Sequence, residues 1–346
     1  MTSGPFGAIP DIDGCISADE VVATAEWIAS LQLPNGMIPW FPGGHCDPWN
    51  HVETAMALDV AGFHDEAAMA YDWLATEQLP NGSWHNYYIP DGSLEDPKLD
   101  TNVTAYVAAG AWHHWLCTHS RAFVERLWPV VESALDWVVS MQRPDGPIIW
   151  AKEPDAFAWN YALLTGSSSI WHSLHCGVLL GSIVGVHHPE WTRAAASLGE
   201  AINQRPATFE PKDRWAMDWY YPVLSGVMTG MQAAARLADG WPTFVMDGLG
   251  VRCVSDEPWI TASETAEAAL AHAAIGDFAT ATALLTWTRS HRNDDGSYWT
   301  GIVYPQHVVF PDQEVSAYTG AAVILAADAI TGASPASTLF RSEIVG

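Results

Sequence analysis

A chain of 346 residues, 49% hydrophobic and 16% charged, can bury a large core and has little surface to spare for charge. Its 14 Lys+Arg against 40 Asp+Glu leave a formal charge of −26, a field that repels polyanions, so nucleic acid and anionic membrane are excluded as partners while neutral ligands are not. Five cysteines without a CxxC pair, no basic-then-apolar leader over residues 1–17 and no apolar run of about eighteen residues argue against disulfide scaffold, thiolate zinc site, export and membrane span, and point to a reducing cytoplasm.

Helical periodicity alternates with loops rich in Pro, Gly and Asp, and strict period-two patterning is scarce, so strands are expected to be minor. In chain order the first hairpin pairs helices over 18–33 and 48–62. The second pairs 65–78 with 101–117, the third 122–142 with 170–185, and the fourth 190–203 with 221–239. The fifth has a weak first helix starting near Trp241 and a clear second one over 263–275. The sixth pairs 278–292 with 313–330. Four of the first helices end in one phrase. Trp27 precedes Gln32-Leu-Pro-Asn-Gly36, Trp73 precedes Gln78-Leu-Pro-Asn-Gly82, Trp137 precedes Gln142-Arg-Pro-Asp-Gly146, and Trp287 precedes Arg292-Asn-Asp-Asp-Gly296. In each the Gly lies nine positions after the Trp. A repeated helix–turn–Gly unit implies stacked helical hairpins, and a closed ring of them leaves a central cavity.

The second helix of each pair is poorer in charge and richer in small residues, as in Thr104-Ala-Tyr-Val-Ala-Ala-Gly110. A helix apolar nearly all round is buried on all sides, so the second helices form an inner ring and the first an outer one. Long loops over 34–47, 80–100, 143–169, 204–218 and 293–312 precede inner helices and emerge at one end. No linker or composition break divides residues 1–346, which read as one domain.

The chemistry sits where these loops enter the inner helices. The candidates are Trp40, His45, Asp47, Trp49 and Glu53 in the first repeat, Trp84 and Asp100 in the second, and Asp218 in the fourth. The fifth supplies Glu257, Trp259 and Glu264, and the sixth Glu314 and Tyr318. Glu53-Thr-Ala and Glu264-Thr-Ala occupy matching places inside the first helical turn. Acids beside Trp and Tyr at a cavity rim suit carbohydrate, since aromatic faces stack on sugar rings, carboxylates bind hydroxyls, and two acids supply acid and base for glycosidic cleavage. Asp47 and Glu264 head inner helices one and five, which flank the sixth, and are taken as that pair. Glu53, Asp100, Asp218, Asp256, Glu257 and Glu314 are reserves, and Trp40, Trp49, Trp84, Trp259 and Tyr318 are stacking candidates. Plainer roles compete: Asp47, Asp100 and Asp312 are also good helix N-caps, and loop Trp residues also pack hairpin ends. His172 and His175 share a helix face without an evident third ligand, so no metal is expected. Dinucleotide, P-loop and serine-hydrolase motifs are absent.

Gln78–Trp84 resembles the repeat of terpenoid cyclases and prenyltransferase subunits, which share an α/α toroid, but the acid and diphosphate–magnesium motifs of those proteins are missing. The whole chain more closely resembles the six-hairpin glycoside hydrolases. Through Pro42-Gly-Gly-His-Cys-Asp-Pro-Trp49 and Ser263-Glu-Thr-Ala266 it is similar to the methylmannose polysaccharide hydrolases, α-endomannosidases acting on a cytoplasmic, partly methylated mannan. The resemblance implies an all-α (α/α)6 barrel with long loops on one face, a neutral methylated mannan as substrate, no metal or organic cofactor, and inversion with carboxyls about 6.5–9.5 Å apart. A prenyl-substrate toroid protein and a non-catalytic carbohydrate-binding protein are the alternatives.

Overall fold

Outer and inner helices alternate along the chain. In the computed structural model, which describes residues 9–154 and 158–340, the pairs are α1 (Ala18–Leu31) with α2 (Pro48–Val60), then α3 (His64–Glu77) with α4 (Thr101–Ala105) and α5 (Val107–Thr118). They continue as α6 (Arg121–Ser140) with α7 (Leu164–Val184), α8 (Pro189–Gln204) with α9 (Ala216–Leu224), α10 (Gly230–Phe244) with α11 (Ala262–Ala274), and α12 (Phe278–Trp287) with α13 (Ala317–Thr331). Residues 1–8 of the stretch read above for a leader lie outside the described residues. The second members pack in a closed circuit: α2 on α5, α5 on α7, α7 on α9, α9 on α11, α11 on α13, and α13 back on α2. Almost every side chain of α2 and α13 is buried, whereas α10 buries only Ala233, Leu237 and Phe244.

The Trp-to-Gly phrase is the joint between outer helices. Gly36, Gly82, Gly146 and Gly296 all adopt positive φ, between 90° and 108°, which favours glycine. Each presses its Cα against the backbone of the next outer helix. An added Cβ would lie 2.2 Å from the Met69 carbonyl oxygen on α3, 2.1 Å from that of Ser133 on α6, 2.7 Å from that of Ser197 on α8, and 2.5 Å from that of Ala23 on α1. The glutamine opening each phrase spans the same joint. Gln78 Nε2 donates to Gly82 O (2.9 Å) and across to Val130 O on α6 (2.8 Å). Gln32 and Gln142 do likewise onto Glu66 and Ala194. Arg292 replaces the fourth glutamine, and there Thr24 of α1 donates to Gly296 O (2.8 Å), joining the last outer helix to the first.

The structure departs from the sequence reading at several helix boundaries. The helix expected over 221–239 is two helices. Gly226, at φ 79°, ends α9, so the outer helix of the fifth hairpin is α10 and does not start near Trp241. The third inner helix begins at Leu164, not near 170, because Ser168 bonds back to Leu164 O and Ser167–Ser169 are buried in the ring rather than lying in a loop. The sixth begins at Ala317, capped by Ser316, so Asp312 is not its cap.

The fold is helix-rich but not all-α, because short strands occupy the loops. β1 (Tyr87–Tyr88) pairs with β2 (Leu94–Asp96), and β3 (Leu99–Asp100) with β4 (Ala151–Lys152). β5 (Val245–Met246), β6 (Gly250–Arg252), β7 (Trp259–Thr261), β8 (Trp299–Val303) and β9 (Val308–Val315) form an antiparallel five-stranded sheet in that order. Two strands feed inner helices directly: β3 runs into α4 and β7 into α11. Paired backbone thereby fixes where those helix heads point.

Gly82→Ala combines a left-handed backbone with overlap onto α6 and is expected to cost about 3 kcal/mol or more, whereas Gly62→Ala, with φ 88° but open space around it, is expected to cost about 1 kcal/mol. Urea unfolding of the two variants measures the difference. Equal losses would show that the joint contributes nothing beyond glycine's backbone preference.

Candidate functional site

Asp47 ends the first long loop and starts α2. Its Oδ1 accepts from Asn50 N (2.9 Å), its Oδ2 accepts from the Asn50 side-chain amide, and Pro48 follows at the first helical position. The carboxyl is buried. Burial raises its pKa, against the Asn50 hydrogen bonds and the nearby His45. His45 stacks flat on Tyr87 (centroids 4.3 Å apart) and meets Glu95 at 2.7 Å. Trp40 lies edge-on to His45 (5.3 Å) and Tyr318 (6.3 Å), and its carbonyl accepts from Ala317 N (2.7 Å), tying the loop to the head of α13.

Rings from across the inner circuit converge on Trp49. It stacks on Tyr106 (4.7 Å, 20°), meets Tyr318 edge-on (5.5 Å) and approaches Tyr221 (6.3 Å). Beneath this aromatic floor lie two buried carboxyls. Glu53 Oε1 accepts from Tyr106 OH (2.9 Å), and its Oε2 has no hydrogen-bond partner among the described residues. Glu267 accepts from Tyr318 OH (2.5 Å) and from Tyr220 OH. Burial pushes both carboxyls up, and for Glu267 the charge of Glu53 adds to the rise.

This geometry corrects the register read from the two Glu-Thr-Ala segments. Glu53 is the sixth residue of α2, and its counterpart is Glu267, the sixth of α11, whereas Glu264 is the third. Glu53 is therefore one turn deeper in the ring than expected. Glu264 does occupy the first turn of α11, where the helix dipole favours an anion. It is partly exposed, and Ser263 Oγ donates to its Oε2 (2.7 Å).

The remaining candidates scatter around this centre. Asp100 caps α4 through the amides of Asn102 (2.9 Å) and Val103 (3.2 Å), and burial pushes its carboxyl up to about 6. Asp218, in the first turn of α9, accepts from Thr165 Oγ1 (2.6 Å) and is raised by burial. Glu314 lies on β9 rather than at a helix head. It accepts from Thr300 Oγ1 (2.8 Å) and is raised by burial. Trp259, on β7, packs against Phe310 (5.6 Å), and Glu257 sits half-buried just before it. Asp256 pairs with Arg214 (2.9 Å) at the surface. Trp84 is not at the rim. It is fully buried and donates to Leu74 O (2.9 Å), so it plugs its own hairpin.

Glu267, Tyr106, Tyr220 and Tyr221 were not among the sequence candidates. A signal existed for Glu267: it is a lone acid three residues after Glu264, well inside an Ala/Leu helix. Among the described residues neither His172 nor His175 belongs to a group of three possible metal ligands. His172 Nδ1 meets Ser225 O (3.1 Å), and His175 packs on Trp171 (4.3 Å). Among the described residues, Asp136, His188 and Glu190 bring three ligand atoms within 4.8 Å of one another. His188 is already held there by Glu190 (2.7 Å) and Glu132 (2.8 Å), between the outer helices α6 and α8.

No family model matches the chain. It is 47% identical over 341 residues, covering 99% of this chain and 94% of the other, to the MMP endo-(1,4)-3-O-methyl-alpha-D-mannosidase of Mycolicibacterium hassiacum. Among solved structures, a wild-type glycosidase superposes with a TM-score of 0.73 at 14% identity, covering 91% of this chain and 97% of the other. A D-mannose isomerase gives 0.66 at 13% identity, covering 92% and 99%. At these identities the two structures attest a shared fold.

The Asp100 carboxyl, raised in the folded state from its ordinary 3.8 to about 6, binds more protons folded than unfolded between those values. The contribution of this carboxyl to stability therefore falls as pH rises through that window. Asp100→Asn keeps the cap and removes the fall, so the variant should gain about 1–3 kcal/mol on wild type between pH 4 and pH 7. Denaturant unfolding at the two pH values measures it, and parallel pH profiles would contradict it.

Proposed function

The chain belongs to the family of the MMP endo-(1,4)-3-O-methyl-alpha-D-mannosidase, and we propose that it is a glycoside hydrolase cutting a methylated α-mannan within the chain. The observation that carries this reading is identity over nearly the whole length of both proteins. The closed circuit of inner helices, read as an (α/α)6 barrel forming one catalytic domain, supports it. So does the cluster of carboxyls and aromatic rings at the heads of the inner helices, which suits a neutral, partly apolar sugar chain. Five unpaired cysteines and the absence, among the described residues, of a helix able to cross a membrane accord with a reducing cytoplasm. The prenyl-substrate and non-catalytic readings have no comparable support.

In the proposed mechanism Asp47 is the general acid and Glu264 the general base. Burial raises the Asp47 carboxyl, which favours the protonated form an acid requires. Glu264 is open enough to hold a water. That water's oxygen bonds to the anomeric carbon while its proton passes to Glu264. The glycosidic C–O bond breaks, and the leaving oxygen takes the Asp47 proton. Attack opposite the leaving group inverts the anomeric centre, which calls for carboxyls about 6.5–9.5 Å apart. The His45 ring beside Asp47, together with Trp40, Trp49 and Tyr318, is assigned to substrate contact.

Asp47→Asn keeps a capping oxygen and Glu264→Gln keeps its shape, so both should melt like wild type while kcat on a methylated α-mannan oligosaccharide falls by about 10²–10⁴-fold. Timed product analysis gives the rates. Undiminished turnover in either variant would remove that residue from the pair.

A further inference from the structure

Among the described residues no glycine joint links α8 to α10: α8 ends in Gln204-Arg-Pro-Ala, and Asn203 instead reaches Val227 O (2.9 Å) in the turn after α9. At this open joint lies a cleft of about 730 Å³, lined among others by Phe209, Asp213, Trp215, Gln232, Asp239 and Phe244. Trp215 is 49% exposed, although the rest of the aromatic lining is buried.

The cleft abuts the inner circuit. Its inner wall is Asp218 and Trp219 near the head of α9, held by Arg236 of α10, which donates to both their carbonyls (2.5 and 2.8 Å). Its rim is joined to the segment that leads into β7 and Glu264. Trp215 pairs with Val254, Ala216 N donates to Cys253 O (3.0 Å), Ser255 N donates to Arg214 O (2.8 Å), and Arg214 meets Asp256.

We propose that this cleft is a distal saccharide subsite, holding a stretch of the same polysaccharide that is cut at the inner-helix mouth. The inference rests on the hydrolase reading above. A chain cut internally extends past the cut on both sides and needs protein surface beyond the reacting sugars. Trp215 offers an open flat face for a pyranose ring, and Asp213, Gln232 and Asp239 offer hydroxyl partners around it. The charged lining carries Glu210, Asp213, Asp218 and Asp239 against Lys212 and Arg236, which disfavours an anionic chain.

The test compares full-length wild type with Trp215→Ala and Asp213→Ala on a long methylated α-mannan and on the shortest oligosaccharide wild type cleaves. Loss of one stacking face should raise KM for the long chain by about five- to tenfold at unchanged kcat, and leave kcat/KM for the short one within about twofold. Wild-type melting curves for both variants would confirm that they fold. Equal effects on long and short substrates, or none on either, would overturn the subsite while the hydrolase reading stands. Failure of wild type to cut either substrate would overturn the hydrolase reading and the subsite with it.

Discussion

Four glycines pressed against the carbonyls of neighbouring helices hold the outer layer in its ring. Gly296, Gly36, Gly82 and Gly146 link α12 to α1, α1 to α3, α3 to α6 and α6 to α8 in series. No side chain fits there, and positive φ is required besides, so the residue type is dictated twice. The glutamine amides then satisfy two carbonyls each across the joint, in surroundings where an unpaired carbonyl would be costly. The contact between α12 and α1 makes the series part of a circle, and the inner helices inherit their convergence from it.

Convergence accounts for the division of labour among the acids. Deep in the circuit, Glu53 and Glu267 are surrounded by tyrosine hydroxyls and held towards their neutral forms, knitting α2 to Tyr106 and α11 to α9 and α13. At the head of α2, Asp47 is the N-cap. The free amides at the start of α2 need an acceptor, and that acceptor is thereby anchored where a loop meets the mouth.

What the sequence revealed follows from how local each signal is. The nine-residue interval from Trp to Gly is a local feature, and it marked real joints. The same phrase held the correction for Trp84: two positions after each joint glycine stand Ile38, Trp84, Ile148 and Tyr298, all buried, so Trp84 belongs to a plug position rather than to the rim. The break between α9 and α10 was hidden because one small residue, Gly226, interrupts an otherwise helical pattern. β5, β6 and β7 are two or three residues long and carry no periodicity, and the longer β9 is interrupted by Pro311 and by positive φ at Asp312 and Gln313, so the five-stranded sheet was illegible and Glu314 was placed on a helix it only precedes. The deeper acid pair was missed because matching Glu-Thr-Ala strings suggested a register that the true helix starts shift by three residues.

The most direct test of the central claim is a crystal structure of the Glu264→Gln protein with a methylated α-mannan oligosaccharide. The sugar chain should be seated on Trp49 at the heads of the inner helices, with one glycosidic oxygen within hydrogen-bonding reach of Asp47 and a water held between residue 264 and the adjoining anomeric carbon. An oligosaccharide bound away from the mouth, with Asp47 and residue 264 untouched, would contradict it.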